Sequence, residues 1–407
     1  MRFLEVSLLF SFVVHGLAIL GMALLLMPAM PGGGADDAAR IRYLVEHPWL
    51  FRLGWFPWQV TALSDLLIAV GLLRAKAIPK LPAVLTLLVT VAAVIPDQVG
   101  QALWITRGLE LAKGNPTSYL AWEAPVFQAI AVWAGTLYTV GAVGWTWCFA
   151  AAGIWNRALT IVSWIVWPLF FYANSGLASP AVIAIGNGVG FFLLQVWFAL
   201  VIEALMRRSR PDTAHGRYAP WRHPTFRPFD LVANSRFVRG LTEALPGVAF
   251  DSDITNVIYV NYVVDAARLE PLVPPGLELH RVGDKAVFTF LTFRHGHFGP
   301  RLLGPLRKLL PSPIHTNWRI HVRGASKDGI YFVTNAIAST PHALAARMLS
   351  EGMPMHVLKA AELSETRLRL DPGRGSAPDV EAEFRPAAAP ERGPWTSAFA
   401  TWKDALA

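Results

Sequence analysis

Long apolar runs in the first half of the chain limit its fold more than any other feature. Six of them, at residues 3–27, 57–73, 81–105, 125–150, 158–172 and 181–206, approach the roughly 20 residues with which a helix crosses a bilayer core. Lipid offers no partner to an open backbone, so such runs fold as helices. Composition agrees: the chain is 54% hydrophobic and 16% charged, against about a quarter charged in soluble domains. Residues 1–206 are therefore expected to form a transmembrane helical bundle of about six spans. The run at 3–27 follows Arg2, but it is too long for the core of a secretory signal and lacks a small-x-small cleavage site. It is expected to be a retained helix.

Charge sets the expected orientation. Arg74, Lys76 and Lys80 lie between the second and third runs, and Arg207, Arg208 and Arg210 follow the sixth. Basic connections stay inside, and an even number of spans puts both termini on the cytoplasmic side of a bacterial inner membrane. The net charge of +8 is read as topology. No basic run is interleaved with aromatics, so no nucleic-acid partner is expected. The single cysteine, Cys148, sits in an apolar run and reads as a small buried hydrophobe. Trp49, Trp55, Trp58, Trp104 and Trp122 fall near span ends, where indoles favour the interface.

Polar residues at membrane depth are costly to bury. They are His15, Asp65, Asp97, Gln98 and Gln101, then Asn187 and Gln195, with Glu203 near the end of the last run. Asp97 and Gln101 are four apart and share a helix face. Pro96 beside them opens the backbone ladder. His15, Asp65, Asp97 and Gln101 either hold helices together or form a binding or proton-relay site.

Residues 207–250 are basic and proline-rich, and read as a juxtamembrane linker. Arg207, Arg208, Arg210, Arg217 and Arg222 would face anionic headgroups. From residue 251 the period changes. Residues 255–264 are β-branched and aromatic, as strands are. Asp265 is placed to cap a short helix and Thr340 a longer one. The strand from Ile314 alternates, with His315, Asn317, Arg319, His321 and Arg323 on one face. That face meets solvent or lines a polar cavity. His315 and His321 are too far apart along a strand to share an ion, and no metal or cofactor is expected; His295 and His297 share a face and would need a third ligand.

Two stretches carry resemblances. His47-Pro48-Trp49-Leu50-Phe51-Arg52-Leu53-Gly54-Trp55 is similar to a segment of uncharacterised bacterial multi-span proteins. In the second half, Asn261-Tyr262-Val263-Val264-Asp265 runs into Leu272-Val273-Pro274-Pro275-Gly276-Leu277. Asn317-Trp318-Arg319-Ile320-His321-Val322, Gly329-Ile330-Tyr331-Phe332, Ala346-Arg347 and Gly352-Met353-Pro354 follow in order. Residues 251–407 thereby resemble the acetoacetate-decarboxylase-like superfamily, in a branch of uncharacterised bacterial domains. The resemblance implies a mainly antiparallel, cone-like β-barrel around a polar cavity. The superfamily's decarboxylases use two neighbouring lysines after the Gly-x-Pro turn to form a Schiff base; here Met355 and His356 take those positions, and His315 takes that of a glutamate. Lys359 lies four residues beyond Met355. The chain stops at Trp402-Lys403-Asp404-Ala405-Leu406-Ala407, where the branch continues, so a barrel incomplete at its C-terminus is expected.

These readings imply a barrel that binds a small carboxylate or carbonyl ligand without Schiff-base decarboxylation. Arg319 would clamp the anion, with His315, Asn317, Arg347 and His356 around it. Two alternatives stay open. One is a lyase- or hydrolase-type enzyme using His315 or His356 as acid or base. The other is a transporter or sensor built on His15, Asp65 and Asp97. The lipid bilayer is the expected partner, and the oligomeric state is not legible.

Overall fold

The computed structural model of the chain describes residues 2–177, 179–213, 218–243, 249–324, 328–349, 355–385 and 393–401. Contacts divide the chain into two units, Met1–Ser209 and Arg210–Ala407.

The first unit is helical. Its elements are α1 (Arg2–Gly21), α2 (Asp37–Glu46), α3 (Pro48–Arg74), α4 (Lys80–Leu103), α5 (Leu109–Gly114), α6 (Pro116–Phe127), α7 (Gly135–Ala151), α8 (Arg157–Ala173) and α9 (Pro180–Ser209). Three wider π-helical segments run on without a break, Met22–Leu26 after α1, Trp104–Gly108 after α4 and Gln128–Ala134 after α6. Helix starts follow local chemistry. Asp36 accepts from the Ala39 N–H at 2.7 Å, Asn115 from Ser118 at 3.0 Å and Asn156 from Leu159 at 3.0 Å, which satisfies donors the helix leaves open. Close packing relies on glycine. A Cβ on Gly144 of α7 would come within 2.3 Å of the Thr86 hydroxyl on α4.

Among the described residues, five helical segments are long and apolar enough to cross a membrane: Arg2–Leu26, Pro48–Arg74, Lys80–Gly114, Pro116–Ala151 and Ile185–Ser209. The fifth expected span, at residues 158–172, corresponds to α8, which is apolar but shorter. Several long apolar helices suggest a membrane protein. The tryptophans expected at span ends divide: Trp49 is exposed, while Trp55 and Trp104 are buried in a core cluster with Phe51, Leu109 and Tyr119.

A buried ion pair ties α2 to α6. Arg40 Nη2 reaches both oxygens of Glu123 at 2.5 Å, and its Nε donates to the Ala29 carbonyl at 3.0 Å. The Tyr119 hydroxyl donates to Glu123 at 2.7 Å and accepts from the Trp104 indole at 3.1 Å.

The second unit opens with α10 (Pro228–Asn234) and α11 (Arg236–Glu243). It continues with β1 (Phe250–Asp265), α12 (Ala266–Leu269), β2 (Glu278–Leu279), β3 (Arg281–Val282), β4 (Lys285–Pro300), β5 (Ile314–Arg323), β6 (Asp328–Ile337), α13 (Thr340–Leu349), β7 (Met355–Val357), β8 (Ala360–Leu363), β9 (Arg367–Asp371) and β10 (Val380–Glu383). The large sheet runs β1-β4-β5-β6-β7, with β2 on β5 and β3 on β4; β10-β9-β8 form a second sheet. All pairs are antiparallel except β6 with β7.

The expected barrel is therefore corrected. β1 and β7 are opposite edges of an open sheet and do not pair with each other. The small sheet instead covers part of one face, where Leu363, Leu368 and Leu370 pack on Phe290, Ile314 and Ala336.

The expected linker carries structure of its own. Trp221 and Ala233 are buried with Ile337, Ala343, Met355 and Val357, so residues 218–243 belong to the packing of this unit. Arg217, the Gly352-Met353-Pro354 turn and residues 402–407 lie outside the described residues. Asp265 makes no capping bond; its carboxylate takes Lys285 at 2.6 Å instead. Thr340 opens α13 but places its hydroxyl 2.9 Å from His223 Nε2.

Candidate functional site

The four polar membrane residues singled out from the sequence meet. His15 of α1, Asp65 of α3, and Asp97 and Gln101 of α4 all line one cavity of about 470 Å³ inside the helical unit. All four are buried. Aromatic side chains make much of the wall, including Trp55, Trp58, Trp104, Phe127, Trp145, Phe170 and Phe191. Tyr138, Asn174 and Asn187 add polar groups.

The polar groups are partly satisfied. Asp97 accepts from Gln101 Nε2 at 2.7 Å, Gln98 Nε2 at 3.1 Å and the Tyr138 hydroxyl at 3.2 Å. Asn187 Nδ2 donates to Asn174 Oδ1 at 3.5 Å. His15 Nδ1 donates to the Ser11 carbonyl at 2.9 Å, so that nitrogen carries the proton. Its Nε2 then faces Asp65 Oδ1 at 3.8 Å, and the place of one proton between them makes the pair either two opposite charges or two neutral groups. Asp65 Oδ1 and Gln101 Oε1 are buried without a hydrogen-bond partner, as are the indole nitrogens of Trp55, Trp58 and Trp145. Buried acceptors left unmet cost free energy that a donor would recover.

All three π segments contribute to this wall, through Met22 and Ala23, Trp104, and Ile130 and Ala131. Such segments recur at functional sites. Neither they nor Tyr138 were evident from the sequence, because a π turn leaves no compositional mark.

The five candidates in the β unit sit in different surroundings. His315 and Asn317 are buried on β5, Arg319 is half-buried, and Arg323 is exposed. The polar face of this strand thus turns from interior to solvent along its length. His315 Nδ1 is 2.8 Å from His295 Nε2, and His295 Nδ1 is 2.6 Å from the Ser252 hydroxyl. Burial holds His295 down to about 4 and His315 down to about 3; His342 lowers His295 further, and His295 lowers His315 further. Arg319 lies over the Tyr259 ring at 5.3 Å, and its Nε is buried without a partner.

Arg347 is fully buried and serves the packing of the N-terminal part of this unit. Its Nε donates to the Ala233 carbonyl at 3.0 Å, and its Nη2 donates to Ala219 and to Asn234 Oδ1. Burial, and then Arg239 and Arg236, lower it to about 9. His356 Nδ1 is 2.7 Å from the Ser376 hydroxyl, and burial followed by Arg347 lowers it to about 3. Lys359 is exposed, with its ammonium 3.9 Å from Asp371. A cleft of about 620 Å³ in this unit, walled by Tyr262, Phe288, Phe290 and Trp318, includes none of the five. No group of three or more metal-ligating side chains occurs among the described residues.

Comparison with curated proteins and with solved structures returned no match. Residues 252–402 match the family DUF2071, described as an uncharacterized conserved protein.

Proposed function

We propose that the helical unit is a membrane-embedded binding site for a small amphiphile carrying a protonated amine. One observation carries this reading: a mostly apolar, aromatic-walled cavity whose polar groups include two carboxylates and two unmet acceptors, Asp65 Oδ1 and Gln101 Oε1. Apolar pockets with a few convergent polar groups are the usual form of ligand sites. An ammonium would supply the missing donors, and aromatic faces attract cations. Intramembrane ionisable residues mark ligand or proton paths more often than they serve packing alone. The His15–Asp65 contact would make occupancy depend on protons. In this reading the helices cross a cytoplasmic membrane with both termini inside.

The test uses the full chain in nanodiscs and calorimetric titration with a short alkylammonium and the alcohol of the same length. The ammonium should bind at least ~10-fold more tightly, about 1.4 kcal/mol, and Asp65→Asn should remove the preference. Equal affinities, or a preference untouched by Asp65→Asn, would refute the reading.

A second reading keeps one supporting observation. The unpartnered Nε of Arg319 fits the carboxylate clamp read from the polar face of β5. Binding of an alkyl carboxylate that disappears in Arg319→Ala would favour it; unchanged binding would end it.

A further inference from the structure

We propose that Ser252, His295 and His315 form a nucleophile, a base and a positioning residue with which the β unit cleaves carboxylic esters bearing an apolar acyl group. The three side chains are joined end to end. The Ser252 hydroxyl is 2.6 Å from His295 Nδ1, and His295 Nε2 is 2.8 Å from His315 Nδ1. A serine becomes a nucleophile when an adjacent base takes its proton and a third group fixes that base. Here His295 donates Nε2–H to His315, which leaves the Nδ1 lone pair facing the hydroxyl. The proton of His315 then sits on Nε2, which is buried without a hydrogen-bond partner.

The local backbone is built around this contact. Asp251 pairs with Gly299 but Asp253 with Gly296, so β4 carries one extra residue opposite Ser252. His297 in that bulge has φ +49°, a conformation uncommon outside glycine. Bulges of this kind re-aim side chains beside active sites. Gly296 has no room for a Cβ, which would meet the Asp253 carbonyl at 2.6 Å. Arg301 binds Asp251 at 3.0 Å, and Arg307 lies 3.7 and 3.8 Å from Asp251 and Asp253, so both neighbours of Ser252 are pinned. The His295 ring stacks on Phe298 at 4.2 Å, and Phe298 stacks on His342 at 5.1 Å. Ser252 itself is half-buried, within reach of solvent. Phe250 and Phe298, 5.6 Å apart, form the apolar surface beside it, which sets the class of acyl group.

The chemistry balances with water as co-substrate. The Ser252 oxygen bonds to the ester carbonyl carbon while its proton passes to His295 Nδ1. The alkoxide leaves and takes that proton. Water then adds to the acyl-serine, again through His295, and the carboxylic acid departs with the serine restored. Burial keeps His295 neutral above about pH 4, so the base is available across the neutral range.

The experiment treats the full chain with an alkyl fluorophosphonate, which phosphonylates activated serines, and follows the adduct by intact mass and peptide mapping. The adduct should map to Ser252 and be absent in Ser252→Ala. Its rate should be flat from pH 5.5 to 8, and should fall on the order of 100-fold in His295→Gln. His315→Gln should slow labelling and make the rate climb with pH, a change that a purely structural role would not give. The Ser252→Cys variant guards against misfolding: its thiol should react with iodoacetamide below pH 7, before ordinary thiols do. No Ser252 adduct in chain that retains its far-UV spectrum, or a rate indifferent to His295→Gln, would overturn the proposal.

Discussion

Replacing Arg40 by Met should cost the helical unit about 3–5 kcal/mol, the usual loss when one member of a buried ion pair is removed. The magnitude follows from what Arg40 touches. It and Glu123 are each about 5% exposed or less, so neither is rescued by water. The substitution strips the carboxylate of the Nη2 donor that meets both its oxygens and the Ala29 carbonyl of its donor. Charged and neutral hydrogen bonds lost in this way cost roughly 1–3 kcal/mol each. The loss belongs mainly to the orphaned charge, so neutralising it should help. Arg40→Met/Glu123→Gln should be about 2 kcal/mol more stable than Arg40→Met alone, because the amide still accepts from Tyr119 and carries no charge. The assay is equilibrium unfolding in mixed micelles, read by helical ellipticity, over the full double-mutant cycle. If Arg40→Met cost under about 1 kcal/mol, or the two substitutions were additive, the pair would be solvated and the reasoning wrong.

Two further outcomes are expected. The β unit should lose stability as pH falls from 6.5 towards 3. His295, His315 and His356 are held below their ordinary value when folded, so the unfolded chain binds more protons in that window. Stability is therefore full above pH 6.5, and each tenfold loss of proton affinity is worth about 1.4 kcal/mol; urea midpoints that stayed constant from pH 7 to 4 would contradict this. Arg347→Met should destabilise the same unit by about 1–2 kcal/mol, since the Ala219 carbonyl loses the Arg347 donor while the Ala233 carbonyl keeps Arg239 and crowding with Arg236 and Arg239 is relieved, and it should leave carboxylate binding unchanged; a selective loss of binding would show that Arg347 faces a ligand.

The helical architecture was legible because a membrane-length apolar run admits few structures. The cavity residues were legible for a related reason: His15, Asp65, Asp97 and Gln101 are expensive where they sit, and all four line the same space. The Arg40–Glu123 pair was not. Arg40 reads as an ordinary loop charge, and its partner is 83 positions away. On the β unit, alternation separated the polar from the apolar side chains of β5, but residues 314–317 are buried whichever way they point, and that burial depends on what packs over them. The barrel was expected from the resemblance alone, since strand chemistry does not reveal whether first and last strands meet. β1 and β7 are set apart by pairings that only the whole sheet determines. The Ser252–His295–His315 relay depends on a bulge, and a one-residue offset between distant strands has no signature in either strand.

The π segments have a consequence for how the helical unit tolerates insertions and deletions. A π turn is an α-helix that has accepted an extra residue. Deleting one residue from Gln128–Ala134 would let α6 and α7 join as a regular helix. Because the wide turn had absorbed that residue, the faces beyond it would keep their directions, and Tyr138 would still meet Asp97. Ile130 and Ala131, which belong both to the segment and to the wall, would shift instead. A single-residue deletion there would thus reshape one stretch of the cavity lining while keeping a continuous apolar span.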